Sequence, residues 1–86
     1  MIVHVPSPLR SYTAQLAEVE ADGDTLDALL RDLDRRFPGL RFRVIDEACR
    51  LRPHIKLFVD GEFSARLSQP LNAASGVHIV CALSGG

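Results

Sequence analysis

The stretch GDTLDALLRDLDRRFPGL, residues 23–40, carries the clearest periodicity in the chain. Leu26, Leu29, Leu30, Leu33 and Phe37 fall at i, i+3, i+4, i+7 and i+11, a single apolar stripe along one helix. Asp24 or Thr25 supplies an N-cap oxygen for the first free amides. Asp27 sits near the positive N-terminal end of the helix, and Arg35 and Arg36 near its negative C-terminal end, so both suit the macrodipole. Pro38-Gly39 stops it. A lone amphipathic helix must bury its stripe against something, and the flanking sequence offers a small sheet.

Upstream, Ile2, Val3 and Val5 read as a short first strand ended by Pro6, with Pro6-Ser7-Pro8 forcing a loop. Gln15 to Glu20 alternates, Ala17 and Val19 against Glu18 and Glu20, which predicts a second strand with one wet face. Ala21 to Asp24 is a turn. Downstream, Leu40 to Arg52 fits neither period and is expected to be a short helical turn followed by a loop. His54 to Asp60 reads as a strand with Ile55, Leu57 and Val59 on one face and Lys56 and Phe58 on the other. Asp60-Gly61 signals a hairpin, with Glu62 to Arg66 as a short return strand. Pro70-Leu71-Asn72 reads as an isolated turn. Val77 to Leu83 is the last strand, with Val77, Ile79, Cys81 and Leu83 toward the core.

The order strand, strand, helix, strand, short strand, strand is that of an α+β, ubiquitin-like β-grasp fold. A mixed four- to five-stranded sheet packs on one main helix, and the last strand lies centrally beside the first. Residues 1–83 form this domain, and residues 84–86 form a flexible Gly-Gly tail.

Composition narrows the function. At 86 residues the chain has room for one thin core and little for a deep pocket. With 47% hydrophobic and 24% charged residues it has the balance of an ordinary globular domain, not of a disordered or fibrous one. Apolar runs fall short of a membrane span, and no basic stretch leads a hydrophobic region as in a signal peptide. A net charge of −1 gives no general drive toward nucleic acid. Two cysteines are too few to staple a secreted scaffold, so a reducing, cytoplasmic setting is expected. His4, His54 and His78 are far apart in sequence and show no metal-ligand spacing. No nucleophile–base pair, carboxylate pair or phosphate loop marks a stand-alone enzyme.

The terminal Gly85-Gly86 is the point where chemistry is expected. A chance Gly-Gly end has odds of about 0.5%. Three extended residues after Leu83 reach about 10 Å beyond the body. Without Cβ, such a backbone threads a narrow channel and leaves its carbonyl carbon unshielded.

The chain resembles the ThiS/MoaD family of ubiquitin-like sulfur carriers. The resemblance rests on PSPLRSYT (residues 6–13), GDTLDALLRDLDRRFPGL (23–40), LFVDGE (57–62) and the terminal Gly-Gly, and covers essentially the whole chain. LRSYT and FPGL are most similar to the cysteine-biosynthesis branch; thiamine and molybdopterin carriers are the other branches. Two departures concern the partner: Ala74-Ser75-Gly76-Val77 replaces the family's acidic turn, and Ala82-Leu83-Ser84 precedes the tail where Pro or aromatic residues are common. The resemblance implies a protein that is not itself an enzyme and binds no cofactor. An E1-like adenylyltransferase would use ATP and magnesium to adenylate the Gly86 carboxylate. A sulfur donor, a persulfide or sulfurtransferase, would convert it to a thiocarboxylate, and an acceptor biosynthetic enzyme would consume the sulfur. Gly85 would serve the threading of the tail. The alternatives are a ubiquitin-like modifier conjugated through Gly86 and a non-catalytic β-grasp binding subunit.

Partner contact is expected on the outward sheet face, where alternation places Phe58, Val80, Lys56 and His78. Leu83 and Ser84 at the tail's root complete the set. An exposed Phe and Val on adjacent strands make an apolar patch, unless segment 40–52 covers Phe58. Seven of the ten basic residues lie between Arg35 and Lys56. With Asp34, Asp46 and Glu47 interleaved, they read as a solvated, charge-balanced face before a docking surface for an acidic partner. Cys81 is expected as a buried structural thiol and Cys49 in an exposed loop.

Overall fold

The helix α1 spans Leu26–Arg36 and starts as the sequence predicts, with the Thr25 hydroxyl accepting from the Ala28 amide at 3.1 Å. Leu26, Leu29, Leu30 and Leu33 are fully buried, and Phe37 packs against the same core while closing the helix. Each buried leucine contributes about 1.5–3 kcal/mol of transfer free energy. In this computed structural model residues 1–82 are described. Expectations on Leu83, Ser84, Gly85 and Gly86, including the boundary at 83, lie outside the described residues.

The stripe lies on a five-stranded mixed sheet. Its strands are β1 (Ile2–His4), β2 (Glu18–Glu20), β3 (Ile55–Val59), β4 (Glu62–Ser64) and β5 (Val77–Cys81), in the order β2-β1-β5-β3-β4. β5 is central, parallel to β1 and antiparallel to β3, while β1–β2 and β3–β4 are antiparallel. Val3, Val19, Ile55, Leu57, Val59, Val77 and Ile79 face the helix, and together with α1 they form one core. This is the ubiquitin-like β-grasp arrangement.

Five local expectations are corrected. The Pro6–Pro8 loop is the entry to a 3-10 helix, Ser7–Tyr12, that buries Leu9. Two prolines fix φ there at a value this turn accepts. The second strand begins at Glu18, because Ala14 (φ 52°) and Gln15 (φ 69°) take left-handed conformations that end any extended run. Ala17 is therefore exposed, although its carbonyl accepts from Val5 at 2.8 Å. The return strand stops at Ser64, and the last strand at Cys81. Pro70-Leu71-Asn72 is stitched to the helix start and so is not isolated: Leu26 donates to Gln69, Leu71 donates to Asp24, and Pro70 bridges Thr25.

Elsewhere the reading holds. Leu40–Val44 is the short helix α2, buried through Leu40 and Val44 and packed on α1 and the 3-10 turn; Ile45 bridges Leu51 beyond it. Asp60 (φ 50°) and Gly61 (φ 87°) form the two-residue hairpin turn, in which both central residues need positive φ.

Candidate functional site

Alternation along β3 and β5 fixes which side chains leave the core. Ile55, Leu57 and Val59 point in, so Lys56 and Phe58 point out; Val77 and Ile79 point in, so His78 and Val80 point out. Register then sets the neighbours: Lys56 lies opposite Val80, and Phe58 opposite His78. Lys56, His78 and Val80 are exposed and Phe58 is half-buried. The four predicted face residues are thus brought together. Segment 40–52 leaves this side open, since α2 packs on α1 and the 3-10 turn.

The face is richer than the sequence reading. His4 pairs with His78 across the parallel β1–β5 ladder, and their rings stack at 3.9 Å and 6°. Three histidines read as far apart therefore include two in contact. The signal was available in the topology: once the last strand lies parallel to the first, outward residues of both share a row. On the other flank His4 Nδ1 is 3.3 Å from Glu18 Oε2. Phe63, opposite Phe58 on β4, meets it edge-on at 6.0 Å and is 57% exposed. A two-residue turn at Asp60-Gly61 dictates that pairing, so Phe63 was readable from the hairpin. One row, Glu18, His4, His78, Phe58 and Phe63, thus crosses all five strands. It is polar at the β2 edge and aromatic at the β4 edge. Among the described residues, no group of three or more His, Cys, Asp or Glu side chains is placed to hold a metal.

Beyond Cys81, at the end of β5, the Ala82 amide donates to the His54 carbonyl at 2.7 Å. Gly85, Gly86, Leu83 and Ser84 lie outside the described residues. Cys81 is half-buried and not the buried thiol expected, because β5 ends there and its side chain faces a groove beside the tail's root. Cys49 is exposed, as expected. The Arg41 guanidinium lies 4.0 Å from its Sγ.

The basic segment divides into two parts. Arg35 and Arg36 both bind the buried Asp32, and Arg36 Nε reaches Oδ2 at 2.9 Å. The Asp22 amide, at 2.9 Å from Oδ2, is the main cause holding the Asp32 carboxyl below the usual range, with Arg36 and Arg35 adding to it against the opposing effect of burial. The interleaved acids Asp34 and Asp46 take their hydrogen bonds from backbone amides: Asp34 accepts from the Gly39 and Arg41 amides, and Asp46 from the Ala48 and Arg50 amides. The Arg50 amide chiefly lowers the Asp46 carboxyl; the Ala48 amide and the fields of Arg52 and Arg50 add to this. Among the described residues no carboxylate lies within 4.0 Å of the Arg43 or Arg52 side chains, while Arg41 pairs with Asp27 at 3.6 Å.

Comparison with known proteins agrees with this geometry. The ThiS family model matches residues 3–86. The sulfur carrier protein CysO of Mycobacterium tuberculosis (strain ATCC 25618 / H37Rv) is 32% identical over 89 residues, covering 98% of this chain and 96% of that protein. A chain of the Amycolatopsis orientalis BexX/CysO complex superposes with a TM-score of 0.90 at 28% identity, covering 99% of this chain and 98% of its own length. SAMP1 from Haloferax volcanii superposes with a TM-score of 0.77 at 25% identity, covering 99% and 97%. With a family match running nearly end to end over a β-grasp sheet whose central strand leads into the tail, the chain belongs to the ThiS family.

Proposed function

We propose that this chain is a sulfur carrier whose chemistry takes place on the carboxylate of Gly86. The observation that carries the reading is the family match through Gly85-Gly86, on a fold in which the central strand β5 delivers the tail. An E1-like adenylyltransferase with ATP and magnesium joins that carboxylate to AMP and releases pyrophosphate. Attack by hydrosulfide on the acyl carbon expels AMP and leaves a thiocarboxylate. With a persulfide donor the first product is an acyl disulfide, which a thiol then cleaves to the same end. The thiocarboxylate is a soft nucleophile at neutral pH, and an acceptor enzyme directs it to an electrophilic intermediate. The carrier itself contributes no acid, base or cofactor.

The outward row supplies recognition. Phe58, Phe63 and Val80 offer apolar contact, and His78 and Lys56 surround it with polar groups, the composition of a protein-binding patch. Likeness to CysO and to the cysteine-biosynthesis branch makes a cysteine-forming acceptor the first to test, ahead of thiamine and molybdopterin routes. Free Cys49 and Cys81 suit a reducing compartment such as the cytoplasm.

Intact-mass measurement after incubation with ATP, magnesium, the activating enzyme and a sulfide source tests the proposal. The expected product carries sulfur in place of one oxygen, localised to Gly86 by fragmentation. A chain lacking Gly86 stays unmodified while retaining its circular dichroism spectrum. If the full chain gains no sulfur although the activating enzyme charges a known carrier, the reading fails. The likeness to SAMP1, a small archaeal modifier protein, favours a second reading, conjugation through Gly86 to lysines of other proteins. Isopeptide-linked ladders in cell extract would distinguish it.

A further inference from the structure

On the helix side of the sheet, beside the root of the tail, lies a groove of about 670 Å³. Its floor includes Leu9 and Cys81, and its polar lining includes Tyr12, Arg43, Arg52 and His54. Both arginines are held in place by aromatic rings. Arg52 lies 4.7 Å over the Phe42 ring while its Nε donates to the Phe42 carbonyl at 2.7 Å. Arg43 lies 5.6 Å over the Tyr12 ring, and its Nε meets the Tyr12 hydroxyl at 2.5 Å. Stacking and the Nε bonds engage one part of each guanidinium and leave the terminal N–H groups available. Asp34 and Asp46 accept from backbone amides, Asp46 lies in the field of Arg52 without an ion pair to it, and no lining residue among those described is a carboxylate.

We infer that this groove is a docking site for an acidic peptide segment of a partner protein, with carboxylates of the segment paired to Arg43 and Arg52. Charge complementarity carries the inference. Two pre-oriented forks, neither with a carboxylate of the described chain within 4.0 Å, suit the carboxylates of an acidic segment. Phe42, 53% exposed, adds an apolar contact. The carbonyl of His54, a groove-lining residue, accepts from Ala82, so a partner segment seated here lies beside the end of the strand that leads into the tail the partner would act on. This last point rests on the carrier reading. Binding at the groove is measured separately from sulfur transfer and stands or falls separately from it.

The probe is an N-acetylated hexaglutamate peptide titrated into the isotope-labelled full chain and followed by NMR at low salt. Expected are saturable shifts confined to Tyr12, Phe42, Arg43, Arg52, His54 and the arginine Nε–H signals. They should weaken with added salt and fall about tenfold or more in affinity in R43Q/R52Q. Preserved dispersion of the variant spectrum shows that its fold is kept. Shifts on the Arg35/Arg36 side or on the outward row, unchanged affinity in the double variant, or no saturable binding by the wild-type chain would each overturn the inference. So would tighter binding of inorganic phosphate or AMP at the groove, which would make it a phosphate site. Groove shifts produced merely by deleting Gly85 and Gly86 would assign it to the chain's own carboxylate and likewise overturn it.

Discussion

Gly23 sits where the chain turns from β2 into α1. A Cβ there would lie 2.4 Å from the Leu29 nitrogen and 2.7 Å from its Cα, both backbone atoms that cannot yield cheaply. Gly23→Ala is therefore expected to destabilise the domain by about 1–3 kcal/mol, read as a lower urea midpoint. Thr25→Ala removes the bond to the Ala28 amide and should cost about 1 kcal/mol in the same measurement. Caps of this kind were legible in the sequence, because one hydroxyl and one amide three residues apart suffice to define them. The His4–His78 stack was not, since 74 positions separate its members and only the parallel pairing of β1 with β5 joins them.

α1 is tied to the turn before it by Asp32, which accepts from the Asp22 amide and pairs with Arg36. These partners favour the charged carboxylate, so its pKa in the folded chain lies below the ordinary value. Their stabilisation is therefore present above about pH 4 and is lost as pH falls from there through the lowered folded value. Asp32→Asn should lower stability at neutral pH and flatten the acid limb, a difference seen by comparing thermal melts at neutral pH with melts below about pH 4. The sequence displayed the i, i+4 pairing of Asp32 with Arg36 but not the Asp22 amide, which the turn brings in. Helix α1, the β3–β4 hairpin and β5 were all readable because period, cap and turn residues agree. The second strand was overextended because left-handed Ala14 and Gln15 bear no glycine-like mark. The 3-10 turn was missed because a proline pair marks the end of a strand but is compatible with either an open loop or a tight helical turn.

Across the whole molecule the core is a single cluster shared by α1, α2 and the sheet. Leu57→Ala, in the middle of β3 and fully buried, should cost about 2–5 kcal/mol with one cooperative transition retained, checked by denaturant unfolding with two probes. The fold was legible, since the order of elements places the last strand at the centre. The unbalanced groove was not legible. Interleaved acids look like neutralisation in one dimension, and only the fold shows Asp34 and Asp46 committed to backbone amides.

β5 runs parallel to β1 and is bonded along its other edge to β3. A pull on its C-terminal end therefore acts along the strand axis, and the ladder bonds on both flanks bear the load together in shear. On the proposed function, an enzyme drawing the tail into a narrow channel would haul on a strand held along both edges. β4, held along one edge alone, would unzip bond by bond under a far smaller tension. The strand that leads into the proposed reactive end is thus anchored on both flanks against being dragged out with it.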